Sequence, residues 1–561
     1  MQTLDSPVSL PAPPAGGAPP PAPKTPAPKK KEKLVGPRAF KLLWDSHSVT
    51  GIVIGLGLFV IFYAGAFALY RGELHAWADP AMRIAEERVT LDQAVAPLLE
   101  ARPPAPGTDL FANVQIRERS YYYVRYQTPV GDTTETVEAS ISPATGEIIA
   151  ESARGWRSDL SEILYRLHFF GQGGIWGELA AGFIAVFFLV AVVSGILIHL
   201  RKLPKDWHTF RPRGKLRTQL ADAHNVLGLI GLPFAAMYAV SGAFLALLII
   251  LLAPSVIVVF GGDQEAAFAL STGFEVPPHD LTGEPAEMLS FAAYRDALPE
   301  AWDDVDVTVM NIHGWGDEAA IVQIYGDATS SLTAAPQAIL QASTGEVLVS
   351  NDPTVGNALG GTSAALVNLH YARLGPGTPF AKVLYFLLAL ATAAVILTGN
   401  ILWVLVRRPK DPRATPRLHR FLGRVTVGVG CGLVAAVPVL FLVSASIPIE
   451  AEGLKTWENV ALFVPWAVFL VAAFAGPSAV WAARWQLALA GVMSLLVPVA
   501  NGVVTGDWPW VAATSGLPRI ATIDIGSLLM GAVLLWIAVR LRPSEALASS
   551  AVTPEAALAA A

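Results

Sequence analysis

The feature that most constrains this chain is a series of eight apolar runs, at about residues 49–70, 178–200, 226–253, 381–406, 425–447, 459–475, 486–504 and 523–540. Each approaches the roughly 20 residues that a helix needs to cross a bilayer. Only 15% of the chain is charged, against about 25% in ordinary soluble domains. The deficit sits in these runs, which excludes one large soluble core. The expected fold class is an α-helical polytopic membrane protein of about eight spans.

Charge sets the orientation. Lys29, Lys30, Lys31, Lys33, Arg38 and Lys41 precede the first span, and Arg201, Lys202, Lys205, Arg211, Arg213, Lys215 and Arg217 follow the second. Arg407, Arg408, Lys410, Arg413, Arg417 and Arg420 follow the fourth, and Arg540 and Arg542 the last. These clusters fall on one side of an eight-span chain, so the positive-inside rule predicts both termini in the cytoplasm and two long outer loops, about 71–177 and 254–380. The loops carry acidic groups such as Glu86, Glu87, Asp303, Asp304 and Asp306. One cysteine, Cys431, rules out an internal disulfide and any Cys-ligated zinc or iron–sulfur site. The proline- and alanine-rich start lacks the apolar core of a signal peptide and reads as a disordered tail, as does the alanine-rich end.

The chain repeats itself. Asp45-Ser-His47-Ser-Val49-Thr-Gly51 matches Asp222-Ala-His224-Asn-Val226-Leu-Gly228 at an offset of 177, which holds ungapped to Gly65-Ala-Phe67 and Gly242-Ala-Phe244. More loosely, Leu167-His168-Phe169 matches Leu369-His370-Tyr371, and Ser194-Gly195 matches Thr398-Gly399. In the outer loops Thr145-Gly146-Glu147-Ile148 matches Thr344-Gly345-Glu346-Val347. The unit is span, outer α+β module, span, present twice in the same orientation, which predicts an axis along the membrane normal. In the first loop Thr90–Leu99 reads as a helix, and Tyr121–Gln127, Glu135–Ser142 and Ile148–Glu151 as strands. Val305–Asn311, Ala319–Tyr325, Ala338–Gln341 and Val347–Ser350 echo these strands in the second. The last four spans do not repeat the unit.

Of ten histidines, seven lie at span ends. A lone interfacial histidine is ordinarily a snorkelling or capping residue, but here four form symmetry-matched sets. His47 and His224 begin the first and third spans on the inner side; His168 and His370 begin the second and fourth on the outer side. Paired neutral imidazoles from facing helices are what an axial haem site requires. Gly51, four residues after His47, and Gly65, 18 residues after it, share its helical face, and small residues there admit a partner helix or a flat macrocycle. A zinc site would want three or four clustered ligands, and a proton relay carboxylates inside the spans. Asp45 and Asp222, two residues before their histidines, suit capping or support of the ligand. His199 and His419 remain further candidates at the inner site; His75 has no histidine counterpart, and His208, His279 and His313 read as loop residues.

Ser194-Gly195-Ile-Leu-Ile-His199, Thr209-Phe210-Arg211-Pro212, Asp222-Ala-His224-Asn-Val-Leu-Gly228 and Leu232-Pro233-Phe234 resemble the PepSY-associated transmembrane-helix proteins. Ile141-Ser-Pro-Ala-Thr-Gly-Glu-Ile148 resembles the end of a PepSY domain, and Leu167-His168 and Leu369-His370 match later helix starts of that family. The resemblance covers about 40–410. Together with the repeat and the composition of the ends, the expected organisation is a tail (1–40), a first repeat (41–210, PepSY-like domain about 78–160), a second repeat (211–412, PepSY-like domain about 262–365), a four-span region (413–542) that extends beyond the resemblance, and a tail (543–561). The family includes dihaem ferric-siderophore reductases of the bacterial inner membrane. The resemblance therefore implies periplasmic PepSY-like domains and two b-type haems, with His47, His224, His168 and His370 as metal ligands. Electrons would pass to a ferric complex outside. No Gly-x-Gly-x-x-Gly loop joins a strand to a helix, so the electron donor is a quinol or a separate reductase. No nucleic-acid partner is expected. The alternatives are a PepSY anchor that regulates a partner without catalysis, and an iron-related transporter, which would call for polar groups at the midplane.

Overall fold

The apolar runs emerge as long helices in the computed structural model, which describes residues 36–83, 88–114, 120–151, 156–200, 209–407 apart from 265, 268, 270–273, 278, 355 and 357, and 416–541. Most of the proline-rich tail, Glu86 and Glu87, the stretch Arg201–His208, Arg408–Thr415 and the end from Arg542 lie outside the described residues. The chain divides into two units, Met1–Leu42 and Leu43–Ala561.

Helix α1 (Pro37–Ala68) is followed by α2 (Arg71–Ala78) and α3 (Leu91–Ala101). Strands β1 (Leu110–Asn113), β2 (Tyr122–Val130), β3 (Thr133–Ile141) and β4 (Ile148–Ala150) come next. Then come α4 (Leu160–His168), α5 (Gly174–His199), α6 (Leu216–Ile230), α7 (Leu232–Val259) and the short α8 (Phe291–Asp296). Strands β5 (Val305–His313), β6 (Ile321–Ala328), β7 (Gln337–Gln341) and β8 (Val347–Ser350) lead to α9 (Ala358–His370) and α10 (Thr378–Val406). The C-terminal region holds α11 (Arg417–Ser446), α12 (Leu454–Ala475), α13 (Ala479–Thr505), α14 (Pro509–Thr514) and α15 (Pro518–Arg540). Among the described residues, seven helices are long and apolar enough to cross a membrane, eight if the bent pair α6–α7 is one span. The chain is a multi-pass membrane protein.

That pair departs from the sequence expectation of one continuous span. The helix turns by 68° at Gly231. Pro233, in the first turn of α7, has no N–H to offer and its ring collides with the carbonyl four residues back. His224 therefore sits on the segment before the bend.

The two long loops pair into one antiparallel sheet in the order β4-β3-β2-β1-β5-β6-β7-β8, where the sequence suggested two separate modules. The join is β1 with β5, running from Leu110 opposite Ile312 to Asn113 opposite Val309. Edge pairing hides two rows of backbone donors and acceptors that would otherwise invite aggregation. Alternation in β2 buries Tyr122, Val124 and Tyr126 on one face, against α3 residues Val95 and Leu98 in a shared core. Thr90 and Gln93 close a reciprocal cap on α3. Asp92 of that helix accepts the backbone N–H groups of Phe291 (2.8 Å) and Ala292 (2.9 Å), tying the two halves of the sheet layer together.

The C-terminal helices pack closely where glycine permits it: a Cβ on Gly491 would lie 3.0 Å from the Gly531 carbonyl oxygen across α13 and α15. Buried polar latches join this bundle to the first half of the chain. Trp77 Nε1 donates to Asp524 Oδ1 (2.8 Å), and Asn501 Nδ2 to Asp524 Oδ2 (2.9 Å). The Arg83 guanidinium pairs with Asp507. Glu458 Oε2 accepts the Asp159 N–H at the start of α4 (2.6 Å), and its Oε1 accepts the Ser444 hydroxyl (2.7 Å).

Candidate functional site

Four histidines converge as two facing pairs. The rings of His47 and His224 have centroids 6.2 Å apart with planes at 77°. Those of His168 and His370 are 6.0 Å apart at 45°.

None of the four begins a helix, contrary to the sequence reading. His47 and His224 lie well inside α1 and α6, because helix-forming residues from Pro37 and Leu216 onward extend both helices ahead of the apolar runs. His168 and His370 are the last residues of α4 and α9. Two residues beyond each, Phe170 (φ 57°) and Ala372 (φ 55°) take the left-handed conformation, which ends the helix and turns the chain toward the next span. Asp45 and Asp222 are likewise interior to their helices and cap nothing. Asp222 binds Arg211 through its backbone N–H (3.0 Å), Nε (2.9 Å) and Nη2 (2.7 Å), and so holds the chain ahead of α6.

Each ring is anchored through Nδ1. His47 Nδ1 lies 2.8 Å from the Ala191 carbonyl, His224 Nδ1 2.9 Å from that of Val395, and His168 Nδ1 2.8 Å from that of Ile61. A carbonyl only accepts, so Nδ1 carries the proton and Nε2 presents a lone pair. At His370 the partner is Ser241 Oγ (2.9 Å), whose own proton goes to the Met237 carbonyl (2.9 Å). The serine therefore accepts, and the same tautomer follows. An anchored Nδ1–H with a bare Nε2 is the arrangement that orients metal-binding imidazoles.

Glycine supplies the seat. The Ala191, Val395 and Ile61 carbonyls each lie four residues before a glycine, and the ring rests on it. A Cβ would stand 3.2 Å from His47 Cε1 at Gly195, 2.9 Å from His224 Cε1 at Gly399 and 2.5 Å from His168 Nδ1 at Gly65. Gly242 lies beside His370 with more room, at 3.9 Å. The sequence reading grouped Gly65 with His47 and Gly242 with His224 along one helix. The structure gives those glycines to the other pair, because a side chain packs on a neighbouring helix. Gly195 and Gly399, with Ser194 and Thr398 before them, are seats that the sequence reading left unassigned. The signal was the repeated Ser/Thr-Gly step at an equal distance before His199 and Trp403.

A cavity of about 430 Å³ opens beside His47 and His224, walled by apolar residues such as Ile54, Leu58 and Phe188 and by Gly51 and Gly228. His199 lines it too. His419 instead stacks on Trp403, with centroids 5.3 Å apart and planes at 23°. His75 faces Glu162 at 3.3 Å. His279 and His313 meet in the sheet layer, with centroids 5.8 Å apart.

With a metal–nitrogen distance of roughly 2 Å and about 1.1 Å from nitrogen to ring centre, two imidazoles on opposite sides of one metal have centroids roughly 6 Å apart. Both pairs match that spacing. Among the described residues no group of three or more His, Cys, Asp or Glu side chains gathers as a metal cage. The pairs thus suit a metal whose remaining positions are filled by a planar ligand of its own, and beside His47 and His224 the cavity at Gly51 and Gly228 leaves room for a flat ring.

The chain matches the family model of the PepSY-associated TM region over residues 44–407. It is also similar to an uncharacterized protein of Pseudomonas aeruginosa, PA4219, with 27% identity over 396 residues, covering 67% of this chain and 93% of that protein. The matched region holds both histidine pairs, the sheet and the helices that carry the pairs: the chain belongs to the PepSY-associated TM region family.

Proposed function

We propose that this protein carries electrons across a bacterial inner membrane through two bis-histidine b-type haems and reduces a ferric complex, such as a ferric siderophore, on the side of the sheet. The observation that carries this reading is the shared geometry of the two pairs: four imidazoles with Nδ1 engaged, Nε2 bare, and ring spacings of 6.2 and 6.0 Å. His47 and His224 would hold the inner group, His168 and His370 the outer. Bound there, haem supplies a one-electron Fe(III)/Fe(II) couple.

The residues of the chain do the rest. The anchored Nδ1 groups fix the ligand tautomer and raise the basicity of the imidazoles. The apolar walls keep water from the sites, which governs redox potential. Between the two sites the helices are packed with aromatic rings. Phe188 lines the inner cavity, Phe62 lies 5.3 Å from it, Tyr238 lies 6.1 Å from Phe62, and His370 lies 4.8 Å from Tyr238, centroid to centroid. The basic residues Arg217 and Arg407 stand at the same end of the spans as His47 and His224, which supports a cytoplasmic inner site, cytoplasmic termini and a periplasmic sheet. The matching anchors of His47 and His224 support a duplicated span–module–span unit. Reduction would loosen a siderophore's grip, since Fe(II) is poorly matched to hard oxygen ligands.

The test is an absorption spectrum of the purified protein before and after reduction. A reducible b-type Soret and α band, with about two haems per chain, is expected, and His168→Ala should remove about one. Absence of pigment would leave a PepSY anchor without redox chemistry as the better account.

A further inference from the structure

The inner cavity has a chemically one-sided edge. Among the described residues, the buried side-chain nitrogens that lack any hydrogen-bond partner are Asn400 Nδ2, Trp403 Nε1 and the two ring nitrogens of His419. The other unpartnered buried atoms are oxygens, on Glu73, Ser140, Gln337 and Gln486. Leaving a buried donor unpaired costs about 1–3 kcal/mol, so native structures seldom gather several without a reason.

Asn400 is 2% exposed. Asn400 and Trp403 on α10 and Arg407, the residue just after its end, follow one another at helical spacing, and all three line the cavity. The Arg407 guanidinium lies over the Trp403 ring, 4.4 Å from its centre. Arg217 and His199 complete this end, and among the described residues no Asp or Glu lines the cavity. The edge offers donors and positive charge and no acid, which suits an occupant bearing carboxylate there. A neutral quinone would match the donors and leave the arginines unused. The second span breaks the likeness at this edge: the residues equivalent to Asn400 and Trp403 are Ile196 and His199, so the donor ladder belongs to one side of the site.

Resting on the haem reading of the same cavity, we infer that Asn400, Trp403 and Arg407 form a carboxylate-binding edge that receives the acidic side chains of the inner haem and sets which way round it enters. Indole and amide N–H groups take carboxylate oxygens inside the wall, and Arg407 with Arg217 neutralises their charge at the mouth.

Metal-free protoporphyrin IX tests this without histidine ligation. The probe is its fluorescence on titration with full-length protein in detergent after growth without haem, compared with its dimethyl ester, which has the same ring and no charge. Wild-type protein should bind the diacid at least about tenfold more tightly than the diester at one of its two sites. Asn400→Leu with Trp403→Phe and Arg407→Gln should reduce that preference to within about twofold, with the other site unchanged. The surface change Arg407→Gln alone should lower it in part and guards against loss of fold. Equal binding of diacid and diester by the wild type overturns the carboxylate edge and leaves the haem reading intact. So does a preference that survives the triple variant, or tight binding of a quinone analogue without any diacid preference. Binding of neither porphyrin overturns both.

Discussion

Gly65 is the seat of His168: a Cβ at position 65 would stand 2.5 Å from the His168 ring nitrogen that donates to the Ile61 carbonyl. The four seats differ in tightness, and a graded series follows. Gly65→Ala should displace the ring and release the outer pigment, at about 1–3 kcal/mol of overpacking. Gly399→Ala, at 2.9 Å, should do the same more mildly at the inner site, and Gly242→Ala, at 3.9 Å, should be tolerated. Gly526→Ala, on α15, meets nothing within 4 Å and is the control. Pigment per chain and melting temperature measure the series; equal effects across it would sink the seat model.

Ser241 and Ser194 look alike in sequence but differ in what they support. Ser241 Oγ is the acceptor for His370 Nδ1, whereas Ser194 shares with His47 a carbonyl that survives its removal. Ser241→Ala should weaken retention at the outer pair by roughly 10- to 100-fold. Ser194→Ala should leave the inner pair within about twofold. Release of pigment to apomyoglobin, followed over time, separates the two.

Glu458 ties the C-terminal bundle to the helix that ends in His168. Its carboxylate is fully buried and accepts the Asp159 N–H and the Ser444 hydroxyl. Glu458→Ala leaves these donors unpaired, at about 1–3 kcal/mol each. Amide hydrogen exchange over Leu160–His168 should rise, while Leu216–Ile230 stays protected. Glu458→Gln keeps one acceptor and should fall between. An unchanged exchange rate in α4 would show that the bundle does not hold it.

Glu162 predicts an acid limit. Burial alone would raise its pKa, but the hydrogen bond from His75 and the charge of Arg71 outweigh that and hold it below the ordinary carboxylate range. The folded state thus binds the proton more weakly than the unfolded chain. This contribution is complete above the ordinary carboxylate pKa, near 4, and is lost as pH falls below it through the depressed value. Thermal unfolding should show a stability drop below about pH 4 that Glu162→Gln flattens. A variant with the same acid limb as wild type would place the titration elsewhere.

Much of the architecture is written in the order of residues. The apolar runs specify helices because a bilayer leaves the backbone no partner but itself. Seven of the eight strands follow from local alternation and turns. The exception, β1, is four residues long and pairs with β5 in the other loop, so no local pattern marks it. That pairing is also why two modules became one sheet. The bend at Gly231 was present as Gly-Leu-Pro, inside a run whose hydropathy hid it.

The repeat by itself matched His47 with His224, at an offset of 177, and more loosely His168 with His370, and these are the pairs that meet in the structure. Only the tertiary structure decided what each ring touches. Periodicity along one helix places His47 and Gly65 on a common face, but a ring reaches sideways, and its anchor is a carbonyl and a glycine on a different helix. Helix pitch is a property of local sequence; the lateral register between helices is chosen by packing, and the tautomer of every imidazole follows from that choice.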